Sequence, residues 1–290
     1  YIESAMKNGL NVDDFASRIS FFFNSHNHFF EEIAKFRAAR KIWANIMKKR
    51  FKAKNTKSML CRFHTQTAGS TLAAQEIDNN IVRTSLQASA AVLGGTQSLH
   101  TNSRDEALAL PSEDSALVAL RTQQIIAFES GISDVVDPLA GSYYVEELTN
   151  IIENQVLELI AKIDSLGGAV EAIEKNFQQN EIAESAYEFQ KDFDSINKIQ
   201  VGVNKYKTEK QSHYQIHKID LKSVENQVNN LQKFKKNRNQ IEVNEKINNL
   251  IKIASGRENL MPHIIDAVKS NLTIGEISDA LRKVFGEYEG

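Results

Sequence analysis

Apolar and polar positions alternate in three short stretches of the first half of the chain, and a longer stretch of helical spacing follows each. "RISFFF" (Arg18 to Phe23), "SMLCRFHT" (strand from Met59 to Thr65) and "TQSLHT" (Thr96 to Thr101) predict strands. Phe29, Ile33, Phe36, Ile42 and Ile46 recur near helical spacing on the way to Phe51. Ala73, Ile77, Ile81, Ala88 and Val92 form a second stripe ended by Gly94 and Gly95, and Ser112 to Phe128 reads as a third helix. Strand-then-helix units in succession predict a parallel α/β architecture, barrel or open sheet, with polar clusters and ligand sites at the C-terminal ends of the strands.

After Asp137 the pattern changes. "DPLAGSYYVEEL" is a turn-rich connection, and Leu148, Ile152, Val156, Leu159 and Ile163 then line one side of a helix that stops at Gly167 and Gly168. A further helical piece runs through Phe193, "IQVGVNKY" (Ile199 to Tyr206) is strand-like, and the remainder reads as almost entirely helical. "ENQVNNLQKFKKNRNQIEVNEK" lacks glycine and proline and predicts a solvated helix. Thr273 and Glu276 have capping-box spacing ahead of Ile277, Leu281 and Phe285. The pattern divides the chain into 1–136 and a mostly helical 137–290.

Composition narrows the function classes. With 290 residues, 41% hydrophobic and 25% charged, the chain is long enough for a substantial core. Its formal charge of −2 supplies no global attraction to nucleic acid or an anionic membrane. No apolar run approaches the roughly 20 residues needed to span a bilayer. The single cysteine, Cys61, excludes an internal disulfide and fits a reducing, cytoplasmic compartment. The opening Tyr1, with no initiator methionine, reads as a start inside a folded domain.

The strands carry unusual chemistry. By strand alternation Arg62, His64 and Gln66 share one face, Ser98 and His100 share a side, and Gln97 lies opposite them. A lone histidine at His64 or His100 is most simply a hydrogen-bonded strand-end residue. Neighbouring strands that both end in His, Gln and Ser favour a ligand site, because buried polar groups are costly unless something pairs with them. No H-x-x-x-H or C-x-x-C spacing supports a metal site, and His26 and His28 have only Glu31 and Glu32 nearby. A glycine-rich phosphate loop is also absent, which leaves Arg18, Lys57 and Arg62 as side-chain donors to phosphates. Lys57 taken alone reads more simply as a solvated loop lysine.

"RFHTQTAGSTLAAQ", "NNIVRTSLQASAAVLGGTQSLHTNSRDEALALP", "DPLAGSYYVEELT" and "VGVNKY" resemble the acyl-CoA mutase family, that of the large catalytic subunit of methylmalonyl-CoA mutase, and the similarity runs along the whole chain. The resemblance implies an α/β fold: the C-terminal portion of a TIM barrel (1–136) through which a CoA chain passes, then a helical linker region (137–290). It implies adenosylcobalamin as cofactor and a radical rearrangement of an acyl-CoA, most simply methylmalonyl-CoA to succinyl-CoA. His64, Gln66 and Gln97 would be catalytic. Arg18, Ser20, Phe22, Lys57, Arg62, Gln97 and Ser98 would surround substrate and CoA; Gly69, Asn102, Glu106 and Ala109 would face the cobalamin and adenosine. Glu106 also reads as an ordinary helix-start glutamate. Ser70, where many members carry tryptophan, resembles the branch with isobutyryl-CoA and 2-hydroxyisobutyryl-CoA mutases, which stay as alternatives beside a non-catalytic CoA-binding module. The residues that recognise the acyl group, and the family's principal active-site histidine, would lie in a missing N-terminal part. The Asp-x-His-x-x-Gly cobalt-ligating motif of single-chain members is not found. A natural stop at Gly290 and a separate small cobalamin-binding subunit, in a hetero-oligomer, are therefore expected.

Overall fold

The computed structural model describes residues 1–208, 214 and 217–287. Its internal contacts separate two units, Tyr1–His217 and Lys218–Gly290.

In the first unit β1 (Phe21–Ser25), β2 (Phe63–Thr67) and β3 (Ser98–His100) form a parallel sheet in that order. Helices α1 (Ile2–Lys7) and α2 (Val12–Phe15) precede the sheet, and α3 (Phe29–Lys49), α4 (Asn79–Leu93) and α5 (Glu113–Phe128) follow the successive strands. The parallel neighbours match the expectation from the strand–helix alternation, because each crossover carries a helix back to the start of the next strand. Phe22, His64 and Ser98 stand in register across the sheet, and Asn24, Gln66 and His100 follow one pleat later.

Alternation assigns the two faces. Phe21, Phe23, Phe63 and Leu99 pack with Phe36 and Trp43 of α3 and Ala91 of α4. The Phe63 ring stacks on Phe36 at 5.2 Å and meets Phe23 edge-on at 5.3 Å. Such pairs add about 0.5–1.5 kcal/mol beyond area burial, so this side of the sheet is firmly held. On the other face Phe22, Asn24, Ser98 and His100 are exposed. The close fit of α4 on α3 requires Gly94, where a Cβ would stand 2.5 Å from Phe36 Cδ2. A small parallel sheet with helices packed on one face is consistent with part of a barrel domain.

The chain after Asp137 returns over α3 as α6 (Tyr143–Ser165), followed by α7 (Ala169–Glu174) and α8 (Phe177–Asp194). Arg37 of α3 donates to Glu146 Oε1 at 2.7 Å and Thr149 Oγ1 at 3.0 Å, and pairs with Asp137 at 3.1 Å. Val145 is buried beside Ile33 and Ala90. The Arg37 guanidinium and the Gly141 N–H hold the Glu146 carboxyl below the usual carboxylate range.

Several boundaries differ from expectation, each for a local reason. Arg18 lies in a 3-10 turn, Ala16–Arg18, and Met59 in another, Thr56–Met59, so β1 and β2 start at Phe21 and Phe63. The Asn55 side chain accepts from Lys57 N and so fixes the second turn ahead of the strand. Ala73 and Ile77 are buried but precede α4, because Asn80 bonds both the N–H and the carbonyl of Ala73 and closes a loop there. "IQVGVNKY" is no strand: it holds one isolated bridge, Val201 to Lys205, around Gly202 at φ +79°, and the Asn204 side chain accepts from Gln200 N.

The second unit comprises α9 (Leu221–Asn237), α10 (Gln240–Ala254), α11 (Leu260–Lys269) and α12 (Ile274–Phe285). The expected helical remainder thus starts at Leu221; its residues 209–213, 215, 216 and 288–290 lie outside the described ones. The expected single solvated helix over the Asn- and Lys-rich stretch is broken between α9 and α10, because Asn239 caps α10 by accepting from Ile241 N and Glu242 N. Val243, Leu250, Ala267, Leu272, Ile277 and Ala280 form the core. The Thr273–Glu276 capping box is present, and Glu276 also receives Arg238, with Nη1 at 2.7 Å from Oε2. No helix among the described residues is long and apolar enough to cross a membrane.

Candidate functional site

The residues expected to carry chemistry fall at two ends of the strands rather than one. Arg18, Ser20, Arg62, His64, Gln97 and Ser98 line an open concavity of about 390 Å³ at the N-terminal end, together with Phe21 and Phe63. Gly69, Asn102 and Glu106 meet at the opposite end. The expectation that polar clusters gather at the C-terminal ends alone is therefore corrected. Alternation identifies a face, but where a turn hands over to a strand depends on side-chain caps. At about 3.3 Å per residue, Arg62 and Gly69 are separated by on the order of 20 Å.

The N-terminal end is built from the two 3-10 turns, which pack against each other and bring Arg18 and Lys57 into adjoining segments. Lys57 is exposed and stands outside the residues that line the concavity. Among the described residues, the Arg18, Lys57 and Arg62 side chains make no ion pair or hydrogen bond. Arg37, Arg50, Arg104 and Arg238 each bind a carboxylate instead. Arg18 and Arg62 thus keep their charges free beside the concavity, where they can serve an anionic ligand as charge-assisted donors. Gln97 has a structural task as well: Oε1 accepts from Phe63 N at 2.7 Å and Nε2 donates to the Gly95 carbonyl at 3.0 Å.

Between the ends, His64 Nδ1 lies 2.6 Å from Ser98 Oγ, its ring centroid 5.1 Å from that of Phe22. Gln66 Nε2 donates to Asn102 Oδ1 at 2.8 Å. Asn102 Nδ2 donates to the Thr67 carbonyl at 2.8 Å, and Thr67 Oγ1 accepts from Asn102 N at 2.9 Å. Asn102, 2% exposed, is consequently pinned. A Cβ on Gly69 would stand 3.0 Å from Asn102 Nδ2 and 3.6 Å from the Glu106 carboxylate, which is exposed and unpaired among the described residues. Ala109 is half-buried, donating its N–H to the Asp105 carbonyl at 3.1 Å. Burial works against the Asp105 charge, but the Ser112 N–H and neighbouring serine hydroxyls outweigh it and leave that carboxyl below the usual range.

Sequence reasoning missed Asn80 and Gln87, buried on α4. Asn80 holds the loop after β2 through Ala73 and the loop after β3 through the Arg104 carbonyl. The available signal was faint: Asn80, Thr84 and Gln87 recur at helical spacing, but Asn79, Arg83, Ser85 and Ser89 make the same helix polar elsewhere. "VGVNKY" also gains a location: Arg83 donates to the Val201 carbonyl at 2.7 Å, and Gln200 Nε2 to the Thr71 carbonyl at 3.1 Å, beside the Gly69 turn.

A parallel sheet covered by helices on one face, with free guanidinium groups at one end and a glycine–amide–carboxylate cluster at the other, is a candidate ligand site on part of an α/β domain. The sequence model of the family described as Methylmalonyl-CoA mutase matches residues 1–287, and the chain belongs to that family. It is 45% identical over 290 residues to the 2-hydroxyisobutanoyl-CoA mutase large subunit of Aquincola tertiaricarbonis, covering 99% of this chain and 52% of that protein. Against methylmalonyl-CoA mutase of Rhizobium meliloti (strain 1021) the identity is 44% over 290 residues, covering 99% and 41%. Against the mitochondrial methylmalonyl-CoA mutase of Homo sapiens it is 45% over 291 residues, covering 100% and 39%. The chain spans about half the length, or less, of these curated relatives.

Proposed function

We propose that this chain is the C-terminal portion of the TIM barrel (1–136) and the helical linker region (137–290) of the catalytic subunit of an adenosylcobalamin-dependent acyl-CoA mutase. The observation that carries the reading is the two-ended face. Arg18, Lys57 and Arg62, unpaired among the described residues, stand at one end, His64, Ser98 and Gln66 follow along the face, and Gly69 with Asn102 and Glu106 closes the other. An extended ligand with phosphates at one end and its reacting acyl group at the other suits this layout.

In this reading Arg18, Lys57 and Arg62 bind the CoA phosphates, with Ser20, Phe22 and Ser98 flanking the chain. Ser98 fixes the His64 ring through Nδ1 and leaves Nε2 as the hydrogen-bonding atom for the substrate. Gln66, tied to Asn102, and Gln97 orient the acyl group without placing an acid or base beside a radical. Positioning by fixed neutral donors and exclusion of water are what the protein contributes here. The cluster at Gly69 fits adenosylcobalamin: the bare Cα leaves room, Asn102 backs the turn from inside the fold, and the exposed Glu106 carboxylate meets a periphery rich in hydroxyls and amides. Gly69, Asn102, Glu106 and Ala109 would hold it, Glu106 accepting from ribose hydroxyls. When bound, the cofactor supplies the radical that removes hydrogen from the acyl group.

Methylmalonyl-CoA to succinyl-CoA is the reaction we assign first. The similarity to a 2-hydroxyisobutanoyl-CoA mutase large subunit supports that substrate as the second reading, and its "large subunit" name supports a separate small cobalamin-binding subunit docked over Gly69 and Glu106 in a hetero-oligomer. A reducing compartment such as the cytoplasm suits the free Cys61. Reconstitution tests the whole: the full-length subunit with each acyl-CoA and adenosylcobalamin should stay inactive until the small subunit is added. Turnover without it would refute the subunit arrangement, and no turnover of any acyl-CoA with it would refute the mutase reading.

A further inference from the structure

Gln87 sits on α4, 1% exposed, where a polar side chain in an apolar interface needs a reason. Its amide is fully used. Oε1 accepts from Ala68 N at 3.1 Å, and Nε2 donates to Asn27 Oδ1 at 2.6 Å and to Thr71 Oγ1 at 2.7 Å. Its backbone carbonyl accepts from Ser25 Oγ at 2.8 Å. Asn27 and Ser25 belong to the end of β1 and the loop that follows; Ala68 and Thr71 flank the turn Gly69–Thr71 after β2. One side chain therefore braces two strand exits that the backbone also links, through Ala68 N–H to the Ser25 carbonyl at 2.9 Å. The Thr71 carbonyl is also held from outside by Gln200, so the turn carrying Gly69 is fixed on both sides.

We infer that Gln87 is a positioning residue for the cofactor end of the site: it sets the Gly69 turn against Asn102 and Glu106 and thereby shapes the cradle for adenosylcobalamin. The inference rests on the cofactor reading proposed above and adds the residue on which that cradle depends. Gln87 does not touch the ligand. It acts through Ala68 and Thr71, which bracket Gly69, and not through the distant end where Arg18 and Arg62 stand. Its loss should separate the two ligands, weakening one and sparing the other, whereas a purely structural role would weaken both together.

The test uses the full-length subunit assembled with its cobalamin-binding partner. Gln87→Met keeps length and volume and removes the three side-chain hydrogen bonds, while the Ser25 contact to the backbone remains. Adenosylcobalamin affinity from visible-absorbance titration should fall at least about 10-fold, and methylmalonyl-CoA affinity from calorimetry should stay within about two-fold. Hydrogen exchange should quicken at residues 68–71 and not within β2. Gln87→Glu should recover cofactor affinity to within about three-fold of the parent, because a carboxylate still accepts from Ala68 N and from a turned Asn27 amide. Asn27→Ala, at an exposed position that leaves the core intact, should lose about three-fold in the same direction and decides the matter if Gln87→Met does not fold. Parallel weakening of both ligands, unchanged cofactor affinity, or no recovery with glutamate would overturn the inference while the parent enzyme still binds both. A parent that binds the acyl-CoA but no adenosylcobalamin would overturn the cofactor reading itself, and the inference with it.

Discussion

Gly69→Ala separates the stability of the cofactor end from its binding capacity, and the structure gives the size of each effect. The backbone at Gly69 is not among the positive-φ residues, so alanine meets no conformational penalty and gains about 0.4–1 kcal/mol from a less flexible unfolded chain. Against this, the new Cβ would stand 3.0 Å from Asn102 Nδ2, which must retreat by a few tenths of an ångström. Asn102 cannot swing away, because its amide is bonded at 2.8 Å on both atoms, to the Thr67 carbonyl and to Gln66 Nε2. Weakening one such bond costs about 0.5–1.5 kcal/mol. The two effects nearly cancel, so net destabilisation is about 0–1 kcal/mol, a Tm change of roughly 0–4 °C for a domain of this size. The methyl group nevertheless fills the cradle, and adenosylcobalamin affinity should drop at least about 10-fold, equivalent to about 1.4 kcal/mol, with acyl-CoA affinity unchanged. Thermal denaturation and paired titrations of the full-length enzyme check this. Unaltered cofactor affinity would remove Gly69 from the site, and a Tm loss well beyond 4 °C would show that the packing argument misjudged Asn102.

Arg62→Ala should leave stability within about 0.5 kcal/mol, because the guanidinium has no partner among the described residues, yet weaken acyl-CoA binding by about 1.5–3 kcal/mol before solvent screening. Gln97→Ala should do more to stability, about 0.5–1.5 kcal/mol, since it deletes the bond to Phe63 N, and should lower kcat more than it raises KM; equal kinetic profiles for the two variants would contradict the assigned roles. In the second unit the Arg238 guanidinium holds the Glu276 carboxyl down to about 2. A depressed carboxyl contributes stability above its unfolded value near 4.5 and loses it as pH falls toward 2, here about 2 kcal/mol after allowance for partial exposure. Acid unfolding followed by circular dichroism should show that loss in the parent and a flatter profile in Glu276→Gln. Burial pushes the Cys61 thiol up to about 11, so iodoacetamide at pH 8 should label it only after denaturation; rapid labelling of the folded protein would contradict its burial in the aromatic core.

The β2 alternation was legible because both faces of the sheet are specified: Phe63 must meet Phe36, while His64 and Gln66 hydrogen-bond Ser98 and Asn102 on the other side. The strand starts were not, since Met59 and Arg18 are as apolar or polar as a strand position allows and are withdrawn into turns by caps such as Asn55. The break at Arg238–Asn239 had a signal, Asn239 three residues before Glu242, hidden in a stretch where asparagine and lysine are everywhere. Gln87 gave almost none: a lone glutamine on an amphipathic helix ordinarily faces water, and Asn27 lies 60 residues away in sequence.

The same limit separates two arginines that spacing alone cannot tell apart. Arg238 and Arg62 both follow lysine-containing turns or helices, and the one carboxylate at helical distance from either, Glu242 four residues after Arg238, accepts from Ser270 instead. Arg238 finds Glu276 across 38 residues and is consumed by it, through a two-pronged contact that only the folded chain creates. Arg62 finds no carboxylate among the described residues and stays exposed beside a concavity. A charged group that the fold leaves unpaired at the rim of a polar cleft has its hydrogen-bonding capacity available to a ligand. That is a property of tertiary structure, and it is why the face was readable from sequence while the division of labour along it was not.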